Sequence, residues 1–436
     1  MLRYVPPPVN DSGLCLPWNE TEKRVWIFHI SVTVKQMIYA FFSDIPVLRV
    51  AIVSNIYGHG TILSDIGTSL VIGAGVTGEI KGVDVYTQVV SDAVSISFQE
   101  KVHIFGILDT NLVRTYLSLI YKLLKNKYDK IFFNSMPTSQ GSKTVTNFVY
   151  LLAPTIINLL SNANVIVLYH NTPFVSNYRS LGYHGFLNKF KASAVKVVES
   201  MMFLNCKVFF LLDLYAKIIK QKIPKARVFS TRIKGINSIP SLFLNNSLFL
   251  KDLNIKRDNV VPVILLYGSW GPQKDLLSAL QAVKYLHNTD FKFKLLLAGS
   301  NNEHFTEYNH RLQEILETYG EYIDHNMGYV DESDLMKLFL SSDIIILPYR
   351  ESGGYSGVLS NAMLFNLHII IPKFPEYLEQ SGDYHLIKFV SRDFSSEDIY
   401  AELTLILSNF TRVENISIET KALINELTNS IKNMLA

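Results

Sequence analysis

Asp343-Ile344-Ile345-Ile346-Leu347, followed by Pro348-Tyr349-Arg350-Glu351-Ser352-Gly353-Gly354-Tyr355-Ser356-Gly357-Val358-Leu359, decides how this chain is read. A short continuous apolar run beside turn residues reads as a strand buried on both faces. It enters a glycine-rich loop, and the loop opens a helix-like segment that includes Asn361-Ala362-Met363. Free backbone N–H groups at such a helix start form an anion site. The loop glycines let a phosphate come close to the backbone. A cation suited to the same anion stands earlier, in Gly268-Ser269-Trp270-Gly271-Pro272-Gln273-Lys274.

Lys274 lies just before a helix, the wrong end for a cation to complement the helix dipole. An anion in a cleft explains it; a solvated surface lysine is the other reading. Glu351 also has two readings. It can hold sugar hydroxyls, since carboxylates accept paired hydrogen bonds well, or it can be a solvated loop carboxylate.

The surrounding pattern sets the fold class. Apolar runs occur at Leu48–Ser54, Val83–Val89, Val102–Leu108, Lys130–Phe133, Val165–Tyr169, Val208–Leu212 and Arg227–Ser230. Segments of helical spacing such as Asn111–Lys125 and Phe186–Phe203 lie between them. The pattern pauses from Ser238 to Val260, where Pro240, Asn245-Asn246 and Lys256-Arg257-Asp258-Asn259 mark a link. It resumes at Val263–Tyr267, Phe293–Ala298, Asp324–Val330, Ile344–Leu347, Ile369–Pro372 and Leu386–Val390. Continuous apolar runs alternating with helices indicate parallel sheets covered on both faces. The expectation is two doubly wound α/β domains in tandem with a cleft between them. Their bounds are 47–240 and 255–410, after a leader at 1–46 and before a helical tail at 411–436.

At 436 residues the chain exceeds one ordinary core, and 48% apolar residues suffice for two. A net charge of +3 excludes an electrostatic case for nucleic acid. Two cysteines, Cys15 and Cys206, make neither a disulfide framework nor a zinc site, so a cytoplasmic setting is expected. Val25 to Phe42 is apolar and about long enough to span a bilayer. It contains His29, Lys35 and Gln36, however, and a mid-membrane lysine costs roughly 3 kcal/mol. A membrane span, a peripheral or packed helix and a disordered leader are its readings. Tyr183–Phe203 sets Lys189, Lys191 and Lys196 beside Phe186, Phe190 and Val197. It reads either as an ordinary amphipathic helix or as one lying on an anionic membrane surface.

Taken in order, these residues resemble the donor-binding domain of retaining GT-B glycosyltransferases (glycosyl transferases group 1, family 4-like). The resemblance runs from about Val263 to Leu407. It includes the Gly268–Lys274 opening, the Leu297-Ala298-Gly299 and Gly328-Tyr329-Val330 strand ends, Leu335 through Asp343, and Ser356-Gly357-Val358-Leu359 with Ala362-Met363. It implies a GT-B fold, two Rossmann-like domains facing a central cleft. It also implies retaining transfer of a sugar from a nucleotide-sugar donor to an acceptor hydroxyl, with no metal and no cofactor. The acceptor is expected to be a glycan or a lipid-linked molecule, placing the enzyme in the cytoplasm or at the cytoplasmic face of a membrane.

By the same resemblance, Lys274 binds the donor diphosphate and Tyr329-Val330 cradles the base. The amides of Gly357, Val358 and Leu359 meet the phosphate, after Ser356. Glu351 is the first carboxylate of the family's Glu–seven–Glu motif and holds the transferred sugar. Gly58 and Gly60, in Tyr57-Gly58-His59-Gly60, occupy the place of a glycine loop near the donor phosphate, unless they form an ordinary strand-to-helix turn. His170, at the end of Val165–Tyr169, resembles the histidine that faces the reacting sugar; tying down a strand end is its other reading. Two positions depart from the pattern. Ser269 stands where an arginine is common, and Asn361 stands where a second glutamate holds the ribose, after a loop about two residues longer. Those departures motivate an alternative, a catalytically degenerate subunit that serves as a scaffold.

Overall fold

The computed structural model describes residues 50–54, 70–72, 102–105, 130–135, 144–170, 186–231, 253–256, 261–271, 273–300, 306–319, 323–328, 332–412 and 415–418, with isolated positions between and beyond them. The chain divides into Met1–Val47 and Leu48–Ala436. The first unit, including the Val25–Phe42 segment, lies outside the described residues, as do Gly58, Gly60 and Tyr329. The second unit holds both of the large sheets.

Its first half is a seven-stranded parallel sheet ordered β2-β3-β1-β4-β5-β6-β7. The strands are β1 (Val50–Ser54), β2 (Leu70–Ile72), β3 (Val102–Phe105), β4 (Lys130–Ser135), β5 (Asn164–Tyr169), β6 (Lys207–Phe210) and β7 (Val228–Ser230). Helices α1 (Thr144–Leu160), α2 (Phe186–Asn205) and α3 (Asp213–Lys222) lie between the later strands. Val165 through Tyr169 are all buried, which is why β5 reads as a continuous apolar run rather than an alternating one.

The second half repeats the plan with six parallel strands ordered β11-β10-β9-β12-β13-β14. They are β9 (Val263–Tyr267), β10 (Lys294–Gly299), β11 (Ile323–Met327), β12 (Ile344–Ile346), β13 (His368–Pro372) and β14 (Ile387–Val390). The helices are α4 (Leu276–His287), α5 (Thr306–Tyr319), α6 (Glu332–Leu340), α7 (Gly357–Leu364), α8 (Pro375–Ser381) and α9 (Ser396–Ser408). One core layer packs α4 and α9 on the sheet, through Leu276, Leu280, Val283, Leu403 and Ile406. The other packs Phe339, Leu359, Phe365 and Tyr377 on the opposite face. Ile344, Ile345 and Ile346 are fully buried between these layers, and each contributes roughly 2 kcal/mol.

Asp343 fixes the start of this sheet. Its carboxylate accepts from the Val263 amide at 3.0 Å and from Arg412 Nε at 3.1 Å. Its own backbone pairs with Val263 and His368. One buried carboxylate therefore aligns β9, β12 and β13 and draws in the segment after α9.

Two departures from the sequence reading concern the edges. Inside the expected link, Leu253–Lys256 forms β8. At the start of the expected helical tail, Asn415–Ile418 forms β15, antiparallel to β8 with Ile416 opposite Ile255. Both segments alternate apolar and polar residues, the pattern of a half-buried ribbon. Each is too short to signal a strand until its partner, far away in sequence, is beside it. Beyond β15, Glu426 and Met434 are helical. Among the described residues, no helix is long and apolar enough to cross a membrane.

Candidate active site

The lysine loop and the glycine-rich loop leave the carboxyl ends of adjacent strands, β9 and β12, and are bonded to each other. Lys274 and Tyr349 form an antiparallel bridge. The Asp275 amide donates to the Pro348 carbonyl at 2.7 Å, and the Arg350 amide donates to the Gln273 carbonyl at 2.9 Å. Arg350 then grips Asp275 through Nε at 2.9 Å and Nη2 at 2.6 Å. Asp275 in turn caps α4 by accepting from the Ser278 amide at 3.0 Å. Arg350 also lies on the Phe394 ring, 3.8 Å from its centroid. Two guanidinium nitrogens on one carboxylate, stacked on an aromatic face, hold the two loops in one geometry.

Trp270 plugs the lysine loop from below. It is fully buried, with Nε1 donating to the Ala298 carbonyl at 3.1 Å and its amide to the Ser300 carbonyl at 2.8 Å. Ser269 beside it is exposed. Lys274 thereby folds back over Gly268, so closely that a Cβ there would lie 2.8 Å from Nζ. Its ammonium sits 5.3 Å from the centre of the Tyr349 ring. Among the described residues that ammonium has no hydrogen bond or ion pair. Burial pulls its pKa down to about 8. A half-buried cation that, among the described residues, faces an aromatic ring and no carboxylate gains from an incoming anion.

Tyr349 connects that cation to α7. Its hydroxyl lies 3.3 Å from Ser356 Oγ, and burial keeps the phenol neutral, with its pKa pushed up to about 12. Ser356 is the N-cap of α7 and accepts from the Leu359 amide at 3.2 Å. Of the three amides singled out in the sequence, Leu359's is thus taken by the cap, while those of Gly357 and Val358 open the helix. Gln380 clamps this start from α8. Its Oε1 accepts from the Ser356 amide at 2.9 Å, and its Nε2 donates to the Ser356 carbonyl at 2.6 Å and to Ser360 Oγ at 2.9 Å.

The opposite wall comes from the first half. His170 ends β5, and its carbonyl oxygen would lie 3.3 Å from a Cβ on Gly354. Gly354 has φ +96°, so glycine is needed there for both conformation and space. The same Cβ would lie 3.0 Å from the Tyr215 hydroxyl. Burial lowers the His170 pKa to about 4, so at neutral pH its imidazole is uncharged, one nitrogen donating and the other accepting.

Glu199 holds the chain on both sides of His170. It is fully buried on α2 and accepts from Tyr169 Oη at 2.7 Å and Thr172 Oγ1 at 2.8 Å. Burial, the dominant cause, pushes its carboxyl up to about 8, against those two hydrogen bonds. Folded, it stays protonated; in the unfolded chain it ionises near pH 4.5. Its contribution to stability is complete below that value and is lost as pH rises towards 8. Glu199→Gln, which mimics the protonated form, should remove this slope. Urea denaturation should show the stability difference between wild type and variant shrinking by roughly 2 kcal/mol or more from pH 5 to pH 8. Parallel profiles would refute the buried-acid assignment.

The structure therefore links Lys274 through Tyr349 to Ser356 and the Gly357 and Val358 amides, with Glu351 on the same loop and the His170 backbone carbonyl against the loop tip at Gly354. Glu351 is half-buried and, among the described residues, has no hydrogen bond, which leaves its carboxylate available. Val330 packs its side chain into the core, so only its backbone can face a ligand. Asn361 is 3% exposed, which does not suit an open ribose-holding role. Trp270, Arg350, Gln380 and Glu199 had no role in the sequence reading. Glu199 carried a signal, a carboxylate on the apolar stripe Val195, Val198, Met202; Gln380, on a short polar helix, carried none.

Residues 252–422 match the family described as Glycosyl transferases group 1. Several solved structures share the fold. Sucrose-phosphate synthase of Thermosynechococcus elongatus is 12% identical, with TM-score 0.56 over 89% of this chain and 94% of that one. A glycosyltransferase of Rickettsia africae is 13% identical, with TM-score 0.54 and the same coverage. HepE of Anabaena, solved in complex with UDP-glucose, is 10% identical, with TM-score 0.54 over 89% and 98%. No curated protein sequence matches the chain. The second half of the chain is therefore a glycosyl transferases group 1 domain, and the chain as a whole has the GT-B fold.

Proposed function

We propose that the chain moves a sugar from a nucleoside diphosphate sugar to an acceptor hydroxyl with retention of anomeric configuration. The observation that carries this reading is Lys274, a half-buried ammonium that has no counter-charge among the described residues and is linked through Tyr349 to the amide-lined start of α7. The bond between the sugar's anomeric carbon and the diphosphate breaks, and negative charge grows on the departing oxygen. Lys274 and the Gly357 and Val358 amides stabilise that charge without reorganising. The acceptor hydroxyl attacks from the same face and passes its proton to the departing phosphate oxygen. Glu351 holds hydroxyls of the transferred sugar, and neutral His170 hydrogen-bonds it from the other wall. With the charge met by these groups, donor binding should need neither a divalent cation nor a cofactor.

The acceptor we propose is a glycan or a lipid-linked molecule, met at the cytoplasmic face of a membrane. Val197, Met201 and Leu204 form an exposed apolar stripe at helical spacing on α2, which supports peripheral contact. Failure to sediment with anionic phospholipid vesicles would remove that part.

Since HepE was solved with UDP-glucose, UDP-glucose is the first donor to test, within a panel of nucleotide sugars. Binding is read by calorimetry with and without Mg²⁺, and turnover by release of nucleoside diphosphate. Binding without metal is the expected result. No binding of any donor would overturn the reading and favour the scaffold alternative.

A further inference from the structure

Helix α3 begins without a cap of its own. Its N-cap position is Leu212, which has no side-chain hydrogen bond to offer, yet a helix start leaves several N–H groups unsatisfied. The missing acceptor comes from the other half of the molecule. Glu379, on α8, accepts from the Asp213 amide and, at 2.8 Å, from the Leu214 amide. A carboxylate at this end also complements the helix dipole.

The next residue on α8 faces the donor loop. Gln380 brackets Ser356 from both sides of its peptide and reaches Ser360. Ser360 Oγ donates to Tyr355 Oη at 2.7 Å, and Tyr355 packs on the core of the first half. From the other direction, the helix that Glu379 caps carries Tyr215, which meets Gly354 beside the His170 carbonyl. Two adjacent side chains thus connect the α7 amides, the loop tip and the His170 wall.

We propose that Glu379 and Gln380 are positioning residues that set the register between the two walls of the active site. Glu379 fixes the His170 wall by capping α3 across the interface. Gln380 fixes the α7 start that receives the diphosphate. The inference rests on the proposed transferase reading for its kinetic part only. The roles separate because the α7 amides meet the donor, whereas the alignment of the walls matters at the moment of transfer.

The test uses the full chain with UDP-glucose, or whichever nucleotide sugar the panel identifies. Glu379→Ala should lower kcat by about tenfold to a hundredfold, the scale of an ångström's misalignment, with donor Kd within about threefold of wild type. Gln380→Ala should raise donor Kd by about tenfold. Glu379→Gln, which keeps one acceptor oxygen and the side chain's shape, should fall between wild type and the alanine variant in kcat. It serves as the folded control if Glu379→Ala is unstable. Independently of any donor, hydrogen exchange at the Asp213 and Leu214 amides should quicken by about tenfold or more in the Glu379 variants. Wild-type kcat in Glu379→Ala, or equal losses in kcat and donor affinity, would overturn the positioning role. Unchanged exchange at the two amides would overturn the cap itself. If wild type bound no nucleotide sugar, the transferase reading would fail while the exchange experiment still decided the cap.

Discussion

Lys274→Ala is expected to lower kcat/KM by about a thousandfold, the scale set by removing preorganised charge from a desolvated site. The melting temperature should stay within about 2 °C. The two outcomes go together because this ammonium is a liability until an anion arrives. Burial already holds its pKa down to about 8, and its neighbour is the Tyr349 ring rather than a carboxylate. Lys274→Arg should not rescue activity, since Nζ is folded back over Gly268 and a broad planar guanidinium does not reproduce that compact charge. The same shift gives wild type a pH signature. Above about pH 8 the free enzyme loses this charge, and a bound diphosphate restores it. Donor affinity should therefore fall as pH rises through 8, with proton uptake on binding seen by calorimetry in buffers of different ionisation enthalpy. Wild-type turnover in Lys274→Ala would remove the lysine from the mechanism.

Gly299→Ala is expected to destabilise the protein by about 3 kcal/mol or more, enough to deplete folded material in cells. Gly299 ends β10 with φ +116°, a conformation unfavourable for any residue with a side chain. A Cβ there would lie 1.9 Å from the Gly268 carbonyl oxygen, which is backbone and cannot rotate away. The ends of β9 and β10 would have to separate just where the lysine loop begins. Urea denaturation measures this directly, and a loss below about 1 kcal/mol would show that the strand ends yield more easily than packed interiors generally do.

Both predictions sit on features visible in the sequence, and their visibility has a common cause. A strand buried on both faces must be continuously apolar, so Ile344-Ile345-Ile346 and Val263–Tyr267 announced themselves, and with them the parallel sheets. A loop that approaches an anion needs glycine and an early helix start, so Gly268 and Gly357 were legible too. The lysine loop and the glycine-rich loop could be located from the chain alone because each is a local motif at a strand end.

What the chain could not supply was the pairing of those pieces. The availability of the Leu359 amide depended on where Ser356 points, and Asn361 turned out buried rather than open. Gln380 and Glu379 are unremarkable polar residues on a short helix until Ser356 and α3 stand on either side of them. β15 became a strand only with β8 beside it. Residue types and spacing determined the two Rossmann-like halves and the glycine-rich loops at their strand ends, because backbone sterics and burial act locally. Only the tertiary structure decided which amides are already used, which carboxyl is buried beside His170 and what joins the two walls. Those contacts span distant parts of the sequence, where hydrogen-bond partners are chosen by position in space.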